Sequence, residues 1–209
     1  MMNILLTAFD PFGGEDVNPA LEAVALVPDR VAGAVVVKLT VPTVFGLSVR
    51  KVLEAVEMHR PDAVLCVGQA AGRASLALER LAVNLDDAAT PDNEGHRPVD
   101  QPIDVDGPPA YFATLPVKAM VAAIRQAGLP AALSNSAGTF VCNHLMYGVL
   151  NAAAKSALPM KAGFMHVPLT TRQAAGRDSP PPSMSVGDMA RGIEAALAAV
   201  LQHLKGEMV

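Results

Sequence analysis

Short, unbroken apolar runs recur along this chain, and most of them alternate with stretches that carry helical spacing. "NILLTA" (Asn3 to Ala8), "AVVVKLTV" (Ala34 to Val41), Ala63 to Val67, Ala131 to Asn135 and Ala162 to Val167 are the runs. A strand that is apolar at successive positions must be covered on both faces, which is the habit of parallel sheets with helical crossovers. The alternation therefore predicts an α/β fold. We expect a single domain over residues 1–209, with a twisted, mostly parallel central sheet and helices on both faces. Neither an internal repeat nor a linker interrupts the 209 residues.

The helices announce themselves by caps and spacing. Asn18 followed by Pro19 is a good start, a capping side chain and then proline at the first helical position. Thr43 to His59 carries Val44, Leu47, Val52, Leu53 and Val56 at helical intervals and stops before Pro61. Pro116 to Ala127, Cys142 to Lys155 and Val186 to Leu204 complete the set. "SLALERLAVNL", Ser75 to Leu85, reads as one strand with imperfect alternation. Asp86 to Pro109 is rich in Asp, Pro and Gly and too long for a simple connector, and such loops are often functional.

Composition removes several classes of function. The charged fraction is 17%, the net charge is −4, and no dense run of Lys or Arg occurs, so we expect no nucleic-acid partner. No apolar stretch approaches the roughly 18 residues of a membrane span, so none is expected to reach a membrane. The apolar start lacks a cationic flank and runs directly into Asp10 and Pro11, so it reads as a buried strand and not a secretory signal. Cys66 and Cys142 lie far apart, which suits free thiols in a reducing cytoplasm. No Cys/His cluster has metal spacing, and we expect no metal or cofactor. The low charge and abundant Ala and Val hint at surface buried between subunits.

In open α/β sheets, sites form beyond the carboxyl ends of strands. "FDPFGG", "GQAAGR", "SAGTFVC" and His166 all fall there. Ser136 to Val141 would deliver Cys142 to the first turn of a helix, where free N–H groups and the positive dipole end favour a thiolate and could hold an oxyanion. The alternative, a small core residue, stays open on position alone. Cys66, flanked by Leu65 and Val67, reads as core. Of five histidines, His59 and His203 read as solvent-facing, and nothing in the sequence orients His96. His144 is two residues from Cys142, and positions i and i+2 on a helix point about 200° apart. His166, in an apolar strand near its end, is either a satisfied core histidine or a base. Glu79 stands in a largely apolar strand and is costly there unless paired or exposed; an edge-strand glutamate paired with Arg80 is the plain reading.

Taken together and in order, "LLTAFDPFGGEDVNPA", "VPTVFG", "CVGQAAGR", "ERLAVN", "PDNEGHRPVD", "SAGTFVCNHLMYG" and "GFMHVPL" resemble the pyroglutamyl peptidase I (pyrrolidone-carboxylate peptidase) family of cytoplasmic cysteine peptidases over nearly the whole chain. The resemblance implies Cys142 as nucleophile, His166 as general base and acid, and Glu79 as the orienting carboxylate. It implies a lactam-ring pocket of Phe9, Phe12, Phe140 and Val141, with Asn18 and Gln69 nearby. It also implies N-terminally pyroglutamylated peptides as substrates, no cofactor, and assembly as homodimers or homotetramers.

Four positions depart from the family pattern. Ala89 and Thr90 stand where an arginine and an aliphatic residue usually precede "PDN", and that arginine is associated with the developing oxyanion. Arg73 or Arg97 could substitute. Ala77 stands in place of Ser or Thr, and Ala71 in place of Gly. A weakened family member that binds pyroglutamyl peptides or cyclic amides without efficient turnover is the alternative expectation. A nucleoside-processing enzyme with a similar sheet is a third, resting on fold analogy.

Overall fold

The computed structural model describes residues 2–156 and 159–206. The chain runs β1 (Asn3–Phe9), α1 (Pro19–Leu26), β2 (Arg30–Val31), β3 (Ala34–Val41), α2 (Leu47–His59), β4 (Ala63–Gln69), β5 (Leu76–Glu79), β6 (Leu81–Val83) and β7 (Ala110–Phe112). It continues through α3 (Val117–Gln126), β8 (Ala131–Ser134), α4 (Val141–Lys155), β9 (Lys161–Val167), β10 (Leu169–Thr170), α5 (Thr171–Ala175), β11 (Ser183–Met184) and α6 (Val186–Leu204).

The main sheet has the order β2-β3-β1-β4-β9-β5-β8. Its neighbours pair in parallel except β2 with β3 and β5 with β9, which are antiparallel. The mostly parallel expectation holds; β5, which carries Glu79, runs antiparallel to β9, and the edge strand β8 runs parallel to β5.

Alternation along the strands fills two cores. Ile4, Leu6, Leu65, Val67, Leu76, Leu78, Met165 and Val167 face one side, against Met120 and Ile124 of α3 and Ile193 and Leu197 of α6. Leu5, Val64, Cys66 and Phe164 face the other, against Val52 and Val56 of α2 and Leu145 and Val149 of α4. The strand period of two then puts Ala77, Glu79 and His166 on the second side, with Phe164. Among the described residues no helix is long and apolar enough to cross a membrane.

Most boundaries fall within two residues of the sequence reading, and two elements differ by more. The second helix starts at Leu47, not Thr43. Thr43 instead gives its N–H and hydroxyl to Asp10 Oδ1 at 2.7 and 2.8 Å, and Gly46 turns with φ +70° before the helix begins. The stretch "SLALERLAVNL" is two strands, broken at Arg80. The Arg80 N–H still bonds Ser134 O, but its carbonyl accepts from Ala113 N, and the chain leaves the main sheet to pair β6 with β7. At the start of α1 the predicted cap forms as read, with Asn18 Oδ1 accepting from the Ala20 N–H at 3.0 Å.

Candidate active site

Cys142 is the second residue of α4, whose first turn has no capping side chain. The backbone N–H groups beside the thiol are therefore not taken up by a side-chain cap. The helix sets Cys142 Sγ over β4 at Gly68. A methyl group built on Gly68 would stand 3.0 Å from Cys142 Sγ and 2.8 Å from the Phe164 ring, so only glycine leaves room there. Gly68 lies in register with His166 on β9, the next strand. Thiol and imidazole thus share one face of the sheet, one strand apart.

The reversed strand β5 supplies the third group. It sets Ala77 opposite His166 and Glu79 opposite Phe164. Glu79 is 0% exposed and its Oε1 lies 2.8 Å from His166 Nδ1. An ionised carboxylate only accepts, so the partners assign the imidazole proton to Nδ1 and leave the lone pair on Nε2. Among the described residues Nε2 carries no hydrogen bond. Glu79 is thus neither exposed nor paired with Arg80. Its cation is Arg73, 3.1 Å away, whose guanidinium also reaches Ser134 Oγ and Ser136 O at 3.3 Å each. The Glu79 carboxylate is fully buried while Arg73 is partly exposed, so the guanidinium is the charge that offsets the buried carboxylate from the solvent side. Arg73 is accordingly part of the site, although from sequence it figured only as a substitute for a missing cation.

The thiol behaves differently from the expectation for a helix start. Burial, and then the negative charge of Glu79, push the Cys142 thiol up to about 12, against the opposing pull of Arg73. Desolvation opposes the helix end here, on a residue that is itself half-buried. Burial pushes Cys66 up to about 12 as well, which fits its reading as core.

Two lines of aromatic rings form, one through Phe164 beside Gly68 and one through Phe140 at the start of α4. Phe9 packs on Phe164 at 6.3 Å between centroids, and Phe164 packs on His166 at 4.8 Å. Phe12 meets Phe140 at 6.3 Å, and Phe45 meets Phe140 edge-on at 5.5 Å. Phe140 directly precedes the helix, and Val141 is fully buried. Gln69 ends β4 half-buried, with no hydrogen bond to its amide among the described residues. Asn18 is buried; besides capping α1 it donates from Nδ2 to Asp10 O at 3.0 Å, which fixes the loop carrying Phe12. Phe45 is a ring that sequence reasoning passed over inside "VPTVFG".

The remaining candidates sort as follows. His96 is oriented after all, by Asp92 Oδ2 at 3.2 Å, but its side chain stays 58% exposed. Arg97 Nε donates to Ala88 O at 3.1 Å, one residue from Ala89. That segment runs along the start of α4, with Asp87 N bonded to Thr139 O and Thr139 Oγ1 to Asp87 O. Asn143 brackets it further, accepting from Val83 N and donating to Val83 O and Leu85 O. Among the described residues no group of three or more His, Cys, Asp or Glu is placed to hold a metal ion.

Comparison with known proteins places this geometry. Residues 2–203 match the family model described as pyroglutamyl peptidase. Pyrrolidone-carboxylate peptidase 2 of Caldanaerobacter subterraneus subsp. tengcongensis is 52% identical over 98% of both chains. A pyrrolidone-carboxylate peptidase of Streptococcus pyogenes is 54% identical over 96% of this chain and 93% of its own. The crystal structure of pyroglutamyl peptidase I from Bacillus amyloliquefaciens superposes with a TM-score of 0.93 at 42% identity, covering 97% of this chain and 98% of that one. Pyrrolidone carboxyl peptidase from Thermococcus litoralis gives 0.95 at 34% identity, covering 100% of this chain and 97% of its own. With near-complete coverage and this much identity, the chain belongs to the pyroglutamyl peptidase family.

Proposed function

We propose that this protein is a cysteine exopeptidase that removes the N-terminal pyroglutamyl residue from peptides, working as one domain over residues 1–209. The observation that carries the reading is the His166–Glu79 pair at 2.8 Å beside a thiol seated over Gly68, in a chain of this family.

The residues divide the reaction among them. Phe9, Phe12, Phe140 and Val141 offer apolar walls to a flat, neutral lactam ring, and the free amide of Gln69 and the remaining amide hydrogen of Asn18 suit its polar edge. A ring without a charged amino group needs no acid or metal to hold it. His166 Nε2 takes the Cys142 proton as Sγ attacks the pyroglutamyl carbonyl. Glu79, held by Arg73, steadies the imidazolium that forms. The N–H groups at the start of α4 receive the oxyanion. The C–N bond then breaks, His166 gives its proton to the leaving amine, and a thioester remains. Water, deprotonated by His166, hydrolyses the thioester, releasing pyroglutamate and the thiol.

The enzyme needs no cofactor in this scheme, acts in the cytoplasm, and assembles as a homodimer or homotetramer, which light scattering would measure. For activity the test is hydrolysis of a pyroglutamyl arylamide by Cys142→Ala, with folding checked by circular dichroism. The expected loss is about 10,000-fold or more. Normal turnover by the folded variant would remove Cys142 from the mechanism.

A further inference from the structure

A second histidine, His144, is buried and paired like His166: its Nδ1 lies 2.8 Å from Asp86 Oδ2. Its other nitrogen is different, because Nε2 lies 2.9 Å from the backbone nitrogen of Gly46. A backbone N–H can only donate, so Nε2 accepts and the proton sits on Nδ1, donated to Asp86. Both nitrogens are closed, and the ring is neutral in this arrangement.

What that ring holds is the turn before α2. Gly46 precedes the helix at φ +70°, and no side chain caps the helix there. His144 takes the Gly46 N–H, and Asp92 Oδ2 takes the Phe45 N–H at 3.0 Å. Phe45 is therefore fixed by the two successive N–H bonds around its peptide unit. Its ring stands edge-on to His144 at 5.3 Å and 86°, and edge-on to Phe140 at 5.5 Å and 89°. The Asp86 side of the pair is redundant, since Asn143 and Thr139 already tie residues 83–87 to the start of α4. The Gly46 N–H, by contrast, has His144 as its acceptor among the described residues, so losing the imidazole leaves that donor unpaired next to Phe45.

We propose that His144 is a positioning residue for ring recognition: by accepting the Gly46 N–H it sets Phe45 against Phe140 and so fixes one wall of the lactam pocket. This rests on the assignment of Phe140 to that pocket. The prediction is a change in ring binding with the chemical step intact, because Cys142, His166 and Glu79 are untouched.

The test measures inhibition by free pyroglutamate (5-oxoproline) alongside kcat on a pyroglutamyl arylamide. His144→Asn keeps a donor for Asp86 but does not reach Gly46. His144→Gln places an amide oxygen near the Nε2 position and restores the acceptor. Losing one hydrogen bond weakens 5-oxoproline binding about 5-fold in His144→Asn, with kcat within about 2-fold, while His144→Gln stays near wild type. Phe45→Ala weakens binding by a similar factor and, combined with His144→Asn, gives less than the product of the two effects. Unchanged binding in folded His144→Asn or in Phe45→Ala, equal losses in His144→Asn and His144→Gln, or a loss confined to kcat, each overturns the proposal. Phe140→Ala separates the two readings: if it leaves 5-oxoproline binding unchanged, the pocket assignment fails, whereas a loss there with no effect at His144 removes only His144.

Discussion

Both His166 and His144 place Nδ1 at 2.8 Å from a carboxylate oxygen, and both lie buried. Each carboxylate also keeps its other oxygen, Glu79 Oε2 or Asp86 Oδ1, buried without a hydrogen-bond partner among the described residues. Burial and pairing therefore do not tell the two sites apart. The difference lies at Nε2. In His144 it accepts the Gly46 N–H, and the ring has nowhere to put a second proton without breaking that bond. In His166 it is open on the face where Cys142 Sγ sits over Gly68. The second difference is the cation: Arg73 backs Glu79 at 3.1 Å, so the carboxylate beside His166 is itself held. In the proposed mechanism the first pair gains a proton, while in the proposed positioning role the second keeps its charge state and holds a turn.

The largest effect that would break this contrast is at His166. His166→Ala should lower kcat by about 10,000-fold while the folded signal by circular dichroism is retained. A loss as small as that expected for His144→Asn would make the two histidines equivalent, and the open nitrogen would mean nothing. Next comes Glu79→Gln. The amide can present N–H to Nδ1, favouring the wrong tautomer, and it no longer neutralises the imidazolium; kcat should fall about 100- to 1,000-fold with KM little changed. A change in KM alone would assign Glu79 to the pocket and not to His166.

Much of this contrast was readable in the sequence. The apolar strands, the caps, and the placement of Cys142 and His166 follow from local periodicity and loop position, and those are properties a chain carries residue by residue. His144 was set aside as a partner for Cys142 because i and i+2 diverge on a helix, and it does turn away to Asp86 and Gly46. What it turns toward was not legible, since its partners lie 58 and 98 residues away. Glu79 taken alone looked like an exposed edge residue, because nothing local says that β5 enters the sheet antiparallel next to β9. The same long-range pairing brings Arg73 to it. For the thiol the sequence shows only the helix end, which acts over one turn, whereas burial and the Glu79 charge, which push the sulfur the other way, come from long-range packing.

A smaller effect sharpens where the thiol sits. Gly68→Ala would place a methyl 2.8 Å from Phe164 Cζ and 3.0 Å from Cys142 Sγ. The neighbours must shift, which costs about 1–3 kcal/mol and lowers the melting temperature by several degrees. Displacing the sulfur should also reduce kcat by about 10- to 100-fold. Wild-type melting and turnover together would mean that the thiol does not lie over β4, and the one-strand separation from His166 would go with it.

The smallest expected signal is an absence. Because burial and Glu79 push the Cys142 thiol up to about 12, its thiolate should appear only as pH rises toward that value. The difference between ultraviolet thiolate titrations of the wild type and Cys142→Ser should therefore show no step through neutral pH, up to about pH 10. Cys66 is common to both proteins and cancels. A step near neutrality, lost in His166→Ala, would instead reveal a preformed thiolate–imidazolium pair. It would mean that Arg73 and the start of α4 outweigh desolvation, and that His166 carries its second proton before substrate arrives. The open nitrogen would then distinguish His166 from His144 even more sharply, as the site of a proton already gained.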